Sequence, residues 1–278
     1  MKQLKFLLTM VFSAVLTVFL VTACNSQAPD GTATSGSPTA GGSPGQTLIM
    51  ATSADYPPYE FVDTSSGKEE IIGFDVDIAK YITEKLGYGL QINNMDFNGL
   101  IPALQAKRAD FVMAGMTPTE ERKKSVDFSE IYFEAKNTLV AKKGSNLTSF
   151  EAMAGKKLGV QLGSIQQEAA KTATEKVPTI QVVPLNRISE IIQELKAGRI
   201  DAALIEDTVA SGFISANPDL EFNVLPNEGE AGSAIAFPKG SPLLAEFNPV
   251  LKDMIDSGKM NELVNKWFGD QRPGQATS

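Results

Sequence analysis

Gly115, Thr117 and Arg122, closely spaced in the stretch AGMTPTEERKK, have the chemistry of an anion site. A guanidinium is permanently charged and carries a planar fork that matches a carboxylate. A threonine hydroxyl can donate beside it, and a glycine lets a ligand approach the backbone. Ser164 and Ile165 precede a helical pattern beginning near Gln166, so their amides and the helix dipole also favour an anion. Glu206 ends the apolar run AALIE and offers the opposite charge, suited to an ammonium. Together these groups fit the zwitterionic head of an α-amino acid. Read alone, the AGMTPTEERKK stretch also fits a surface turn followed by a charged helix start.

Composition narrows the alternatives. The chain of 278 residues contains no histidine and one cysteine, and its formal net charge is −8. The absence of histidine removes His-based triads, imidazole acid–base catalysis and most zinc sites that use imidazole. A single cysteine allows no intramolecular disulfide and no thiolate metal cluster. The acidic balance argues against a nucleic-acid surface, and no cofactor is expected.

The N-terminus accounts for the cysteine. Lys2 and Lys5 precede the apolar run Phe6 to Val21, which ends in Val21-Thr22-Ala23-Cys24. A basic start, a short apolar core and small residues before a cut read as a secretory signal over residues 1–23. Asn25 to Gln46, rich in Ser, Gly, Thr, Ala and Pro, reads as a flexible tether completing residues 24–46. An uncleaved anchor or an ordinary buried thiol is the other reading of this end.

The elements that must position the charged groups alternate from Thr47 onward. TLIMAT, LQIN and FVMAG read as strands, with helices over Phe74–Leu86 and Asn98–Ala106. KLGVQL, IQVV and AALI read as strands in the second half, with helices over Gln166–Lys176 and from Ile188. Two amphipathic helices, Pro242–Ser257 and Met260–Trp267, close the body, and residues 271–278 read as a disordered tail. This alternation predicts an α/β fold with largely parallel sheets. FNGLIPALQAKRAD (Phe97–Asp110) and ISEIIQELKAGRID (Ile188–Asp201) also match without gaps, sharing Leu, Ala, Arg and Asp positions. The echo implies two similar lobes, unless two helix-to-strand turns are alike by chance. In open α/β sheets ligands sit beyond the carboxyl ends of the strands, so Gly115, Thr117 and Arg122 would face Glu206 across a cleft.

ATSADYPPYEF, GFDVDIAKYI, MDFNGLIPAL, AGMTPTEERKKSVDFS and AFPKGS together resemble the polar amino-acid family of bacterial extracellular solute-binding proteins, which serve ABC importers. The resemblance covers Thr47 to Phe268. It implies a two-lobed periplasmic-binding-protein-like fold of type II, with two hinge crossings near Glu134–Thr138 and Glu230–Ala234. Residues 47–135 and 233–270 would form one lobe and 136–232 the other. VTAC resembles a lipoprotein signal-peptidase motif, which would make Cys24 a lipid-bearing N-terminus outside the cytoplasm. The implied partners are an amino acid as small-molecule ligand, an ABC permease and a membrane held through the lipid, with the protein itself a monomer.

By the same resemblance Arg122 and Thr117 would take the ligand carboxylate. Ala114, Gly115 and Met116 would line the site, with the Gly115 carbonyl accepting from the ammonium and Ser164 and Ile165 donating amides. Glu206 would pair with the ammonium, and a one-residue shift would pass that role to Asp207. Tyr56, Tyr59 and Phe97 would flank the side chain, or pack in the core. Ser53 stands where the family often has Asp. Asp55 could meet a distal positive charge or face solvent, with Ser53 and Gln161 as neutral acceptors. SADYPPYEF with IEDTVA is similar to the basic-amino-acid branch, which implies arginine before lysine or histidine. Glutamine is the alternative ligand. Two other functions compete: a dehydratase on the same lobes, which histidine and thiol chemistry cannot serve here, and a sensor domain, which would need a separate membrane partner.

Overall fold

The structure is a computed structural model and describes residues 45–226 and 231–269. The signal segment, Cys24, nearly all of the tether, Glu230 of the second crossing and the tail fall outside the described residues. The body opens with β1 (Thr47–Thr52), β2 (Asp55–Tyr56), β3 (Glu60–Asp63), β4 (Glu70–Ile72), α1 (Phe74–Leu86) and β5 (Gly89–Asn94). There follow α2 (Leu100–Gln105), β6 (Phe111–Val112), α3 (Glu120–Lys123) and β7 (Val126–Phe133). Next come β8 (Asn137–Lys142), β9 (Lys157–Gln161), α4 (Ile165–Lys176), β10 (Gln181–Leu185), α5 (Ile188–Lys196), β11 (Ala202–Glu206), α6 (Asp207–Ala216) and β12 (Leu220–Val224). The chain then runs through β13 (Ser233–Pro238), α7 (Leu243–Asp256) and α8 (Lys259–Phe268).

Two five-stranded sheets carry the two lobes of an α/β fold, in the orders β5-β1-β6-β13-β7 and β10-β9-β11-β8-β12. Half of the strand pairs in each sheet are antiparallel, which corrects the largely parallel reading of the alternation. In the first, β1 runs parallel to β5 and β6, whereas β13 runs antiparallel to β6 and β7. In the second, β9 runs parallel to β10 and β11, and β8 runs antiparallel to β11 and β12. The antiparallel strands are the ones that cross between lobes, so each sheet takes a returning strand from a crossing rather than from a βαβ unit. The strand expected over FVMAG shrinks to Phe111–Val112, because the chain turns away at its end toward the cleft. A separate antiparallel ribbon, β2-β3-β4, lies beside the first lobe.

The repeated segments do equivalent work. Each ends in an aspartate that enters the central strand of its sheet and grips the neighbouring strand. Asp110 Oδ2 accepts from the Ile49 N–H at 2.7 Å, and Asp201 Oδ2 accepts from the Lys157 N–H at 2.8 Å.

Buried apolar residues recur at helical spacing along α1, with Phe74, Ile78 and Ile82 wholly inside. Gly73 opens that helix at φ 142, and a Cβ there would fall 2.1 Å from the Tyr59 carbonyl oxygen, so only glycine fits. The first lobe's core centres on Phe74, Phe133, Phe268 and Tyr59, with the Phe133 and Phe268 rings stacked at 4.4 Å. No helix among the described residues is long and apolar enough to cross a membrane.

Candidate functional site

The carboxyl ends of β1, β6, β9 and β11 converge on one narrow cleft between the sheets, with a cavity volume of about 20 Å³. Tyr56, Phe97, Ala114, Gly115, Thr117 and Arg122 line it from the first lobe. Gln161, Ser164, Ile165, Gln166 and Glu206 line it from the second. A wider hollow of about 540 Å³ lies against the outer side of α4, beside Phe150, Ala169 and Val177. It brings no buried charge together, so the chemistry resides in the cleft.

Arg122 sits on α3, whose first turn is capped by Thr119: its hydroxyl accepts from the Arg122 N–H at 3.2 Å. The guanidinium donates through Nη1 to the Thr117 carbonyl at 2.7 Å and through Nη2 to the Gly163 carbonyl at 3.0 Å. The second bond crosses from one lobe to the other. The same group lies 5.4 Å from the Phe97 ring centre, so an aromatic face holds its plane. Gly115 adopts φ 55, in the left-handed region, with the Tyr56 ring edge 3.2 Å from where a Cβ would stand.

Opposite, Ser164 caps α4. Its hydroxyl accepts from the Gln167 N–H at 3.1 Å and donates to the Gln161 carbonyl at 2.7 Å. The amides that open this helix lack intrahelical acceptors, which leaves the Ile165 end able to face an anion. Gln166 also lines the cleft and was missed from the sequence. Its amide is held by the Asn137 side chain at 2.9 Å. The only available signal was its place in the first turn of a helix whose start was already singled out.

Glu206 ends β11 and opens α6. It is 9 % exposed. Its Oε1 accepts from the Tyr59 hydroxyl and, at 2.7 Å, from the Thr208 hydroxyl, while the Tyr56 hydroxyl stands 3.5 Å from Oε2. Burial pushes this carboxyl up to about 7, against the opposing pull of the Tyr59 and Thr208 hydrogen bonds. Asp207 points elsewhere: its Oδ1 accepts from the N–H groups of Lys136 and Thr208, at the crossing between lobes.

The remaining sequence candidates lie behind the cleft lining. Tyr59 is wholly buried in the aromatic core and touches the site from behind, through its hydroxyl on Glu206. Its ring stacks on Tyr56 at 5.6 Å. Met116 is buried with Leu100 and Val126, and its carbonyl accepts from the Ala234 N–H at 2.9 Å. Ser53 donates its hydroxyl to Asp55 Oδ1 at 3.3 Å. Asp55 Oδ2 faces the Ser189 N–H at 3.5 Å, at the start of α5 in the other lobe. Burial raises the Asp55 carboxyl above its ordinary value, with the Ser189 and Ile188 amides pulling it back. Asp55 is half-buried and outside the cleft lining, with its carboxyl turned toward the other lobe. The described residues include no group of acids, histidines or cysteines that could hold a metal ion.

The sequence pattern of the bacterial extracellular solute-binding proteins, family 3, matches residues 48–270. The arginine-binding extracellular protein ArtP of Bacillus subtilis is 44% identical over 270 residues, covering 96% of this chain and 99% of that protein. Two solved structures of an ancestral arginine-binding protein, one bound to arginine and one to glutamine, superpose with TM-scores of 0.75 and 0.74. They are 43% and 42% identical and each covers 80% of this chain and 98% of its own. These relatives are binding proteins, not enzymes.

Proposed function

The chain belongs to the bacterial extracellular solute-binding proteins, family 3, and from that premise we propose that it captures a basic amino acid, arginine first, and delivers it to an ABC import permease. The observation that carries the reading is the opposition of Arg122 and Glu206 across one cleft. Arg122 and the Thr117 hydroxyl take the carboxylate, with the Ile165 amide assisting from the other lobe; the Ser164 N–H donates instead to the Gln161 carbonyl at 3.2 Å. Glu206 and the Gly115 carbonyl take the ammonium. The side chain runs between Tyr56 and Phe97, where a planar cation gains from both ring faces, and Gln161 supplies a neutral acceptor. Residues 47–135 with 233–270 form one moving body and 136–232 the other, closing on the ligand as a hinge.

The identity of ArtP supports arginine. A glutamine reading is favoured by one specific observation: Asp55 is engaged with Ser189, and the cleft lining holds no carboxylate besides Glu206. Titration calorimetry against arginine, lysine, histidine, glutamine and glutamate decides. The expected order is arginine, then lysine or histidine, then glutamine, with glutamate unbound. Tighter binding of glutamine or glutamate than of arginine would refute the basic-ligand reading while leaving the head-group clamp intact. Before the body, the signal over residues 1–23 directs export, and Cys24 carries a lipid that holds the monomer at the membrane.

A further inference from the structure

Behind the cleft lies a second set of acids that the head-group clamp does not use. Glu60 on β3 and Asp75 in the first turn of α1 are both wholly buried. Their carboxyls lie within hydrogen-bonding reach of each other. Asp75 is well supplied with donors: its Oδ2 accepts from the Gly115 N–H at 2.9 Å, and the Tyr132 hydroxyl stands 2.8 Å from Oδ2 and 2.9 Å from Oδ1. Glu60 has none, for neither of its oxygens meets a hydrogen-bond donor from another residue.

Two carboxylates in contact away from water cannot both stay ionised, and a buried ion without a donor is the costliest arrangement of all. One proton resolves both difficulties. Placed on Glu60 it makes that residue the donor and leaves Asp75 an acceptor on every side. The charged groups acting on Glu60 are Asp75, Asp55 and Glu206, all acids. Those facing Asp75 are Glu60 and the Tyr132 hydroxyl. Burial and then the neighbouring Asp75 hold the Glu60 carboxyl well above the usual range, while burial lifts Asp75 to about 6.

We propose that Glu60 is a protonated positioning residue, whose proton fixes the Asp75 carboxylate that anchors the Gly115 N–H and thereby aims the Gly115 carbonyl at the ligand ammonium. The inference rests on the reading of Gly115 as part of the amino-acid site. Gly115 has no side chain to hold it and sits in the left-handed region, so the Asp75 bond is what pins its entering peptide plane. A loose Asp75 would let that plane, and the carbonyl after it, swing away.

Three measurements on the full chain test this. Glu60→Gln keeps a donor toward Asp75 and has no proton to lose, so its arginine affinity at neutral pH should stay within about threefold of the parent. Glu60→Ala should bind at least about tenfold more weakly, because the donor is gone. Infrared spectroscopy of the parent near neutral pH should show a protonated carboxylic-acid carbonyl band that Glu60→Gln lacks. Thermal unfolding supplies the pH profile. A folded-state value raised above the unfolded one gives stability that is full below about 4.5 and fades as pH rises. Glu60→Gln escapes that loss, so it should gain on the parent from pH 5 to 8. A glutamine variant as weak as the alanine one, an unchanged infrared band, or a pH-independent stability difference would each overturn the proposal. Failure of the parent to bind any amino acid would instead strike the transport reading, and the infrared and unfolding results would still decide where the proton sits.

Discussion

Binding should release a proton from Glu206, and its size follows from the site. Without ligand this carboxyl is held near 7 by burial, despite hydrogen bonds from Tyr59 and Thr208. An ammonium arriving at Oε2 needs the carboxylate form, and its charge holds that form down to much lower pH. Below pH 7, therefore, each unit of acidity imposes about 1.4 kcal/mol on binding, a tenfold loss of affinity. From pH 8 to pH 6 the dissociation constant should rise about tenfold, and to pH 5 about a hundredfold. The chain has no histidine to blur the profile. Asp75, lifted by burial to about 6, titrates in the same window. Glu206→Gln separates the two, since it should bind roughly ten- to hundredfold more weakly at pH 8 and lose most of the slope. Calorimetry in buffers of unlike ionisation enthalpy counts the proton directly, close to one at pH 6. Equal affinity at pH 5.5 and pH 8, no released proton at pH 6, or an undiminished slope in Glu206→Gln would refute the argument.

Arg122→Ala should weaken arginine binding by about 1.5–3 kcal/mol, the worth of a charge-assisted bond, and an amino-acid methyl ester binding as tightly as the free acid would dismiss the carboxylate assignment. Gly73→Ala should lower stability by more than about 2 kcal/mol, because the added methyl collides with the Tyr59 carbonyl; chemical denaturation measures it, and an unshifted midpoint would show that the turn relaxes freely. Cys24→Ser should move the exported protein from washed membranes to the soluble fraction, whereas retention would mean that Phe6–Val21 itself holds it there.

The legible parts of the sequence were those with local causes. The apolar spacing of α1 and α5 and the buried runs of β1, β9 and β11 depend on neighbours a few positions away, and they appear where periodicity places them. The antiparallel strands β7, β8, β12 and β13 were not read: β7 and β12 alternate weakly, and the buried runs of β8 and β13 follow another strand rather than a helix, so no βαβ alternation marks them. In the cleft, charged residues at strand and helix ends were visible because the fold rule places such ends together. Tyr59, Ser53, Asp55 and Met116 lay in the same motif stretches, but which of several adjacent side chains turns outward is settled by packing. Tyr59 fills an aromatic cluster that needs Phe268, the last residue of α8, and no local pattern announces that.

The sheet of the second lobe is inserted in the chain between two paired strands of the first. Its two ends are neighbours, the Leu225 N–H donating to the Asn137 carbonyl at 2.8 Å, and Val224 pairs with Thr138. The stumps it leaves in the other lobe are neighbours as well, with Ser233 paired to Phe133. During synthesis the inserted sheet is therefore complete before β13, α7 and α8 exist, while the outer lobe waits for them with its aromatic floor open. Domains that emerge whole can fold as units while the rest of the chain is still being made. The first lobe has no such option, so if the chain is exported as proposed, any device that keeps it unfolded on the way has to guard that unfinished sheet the longest.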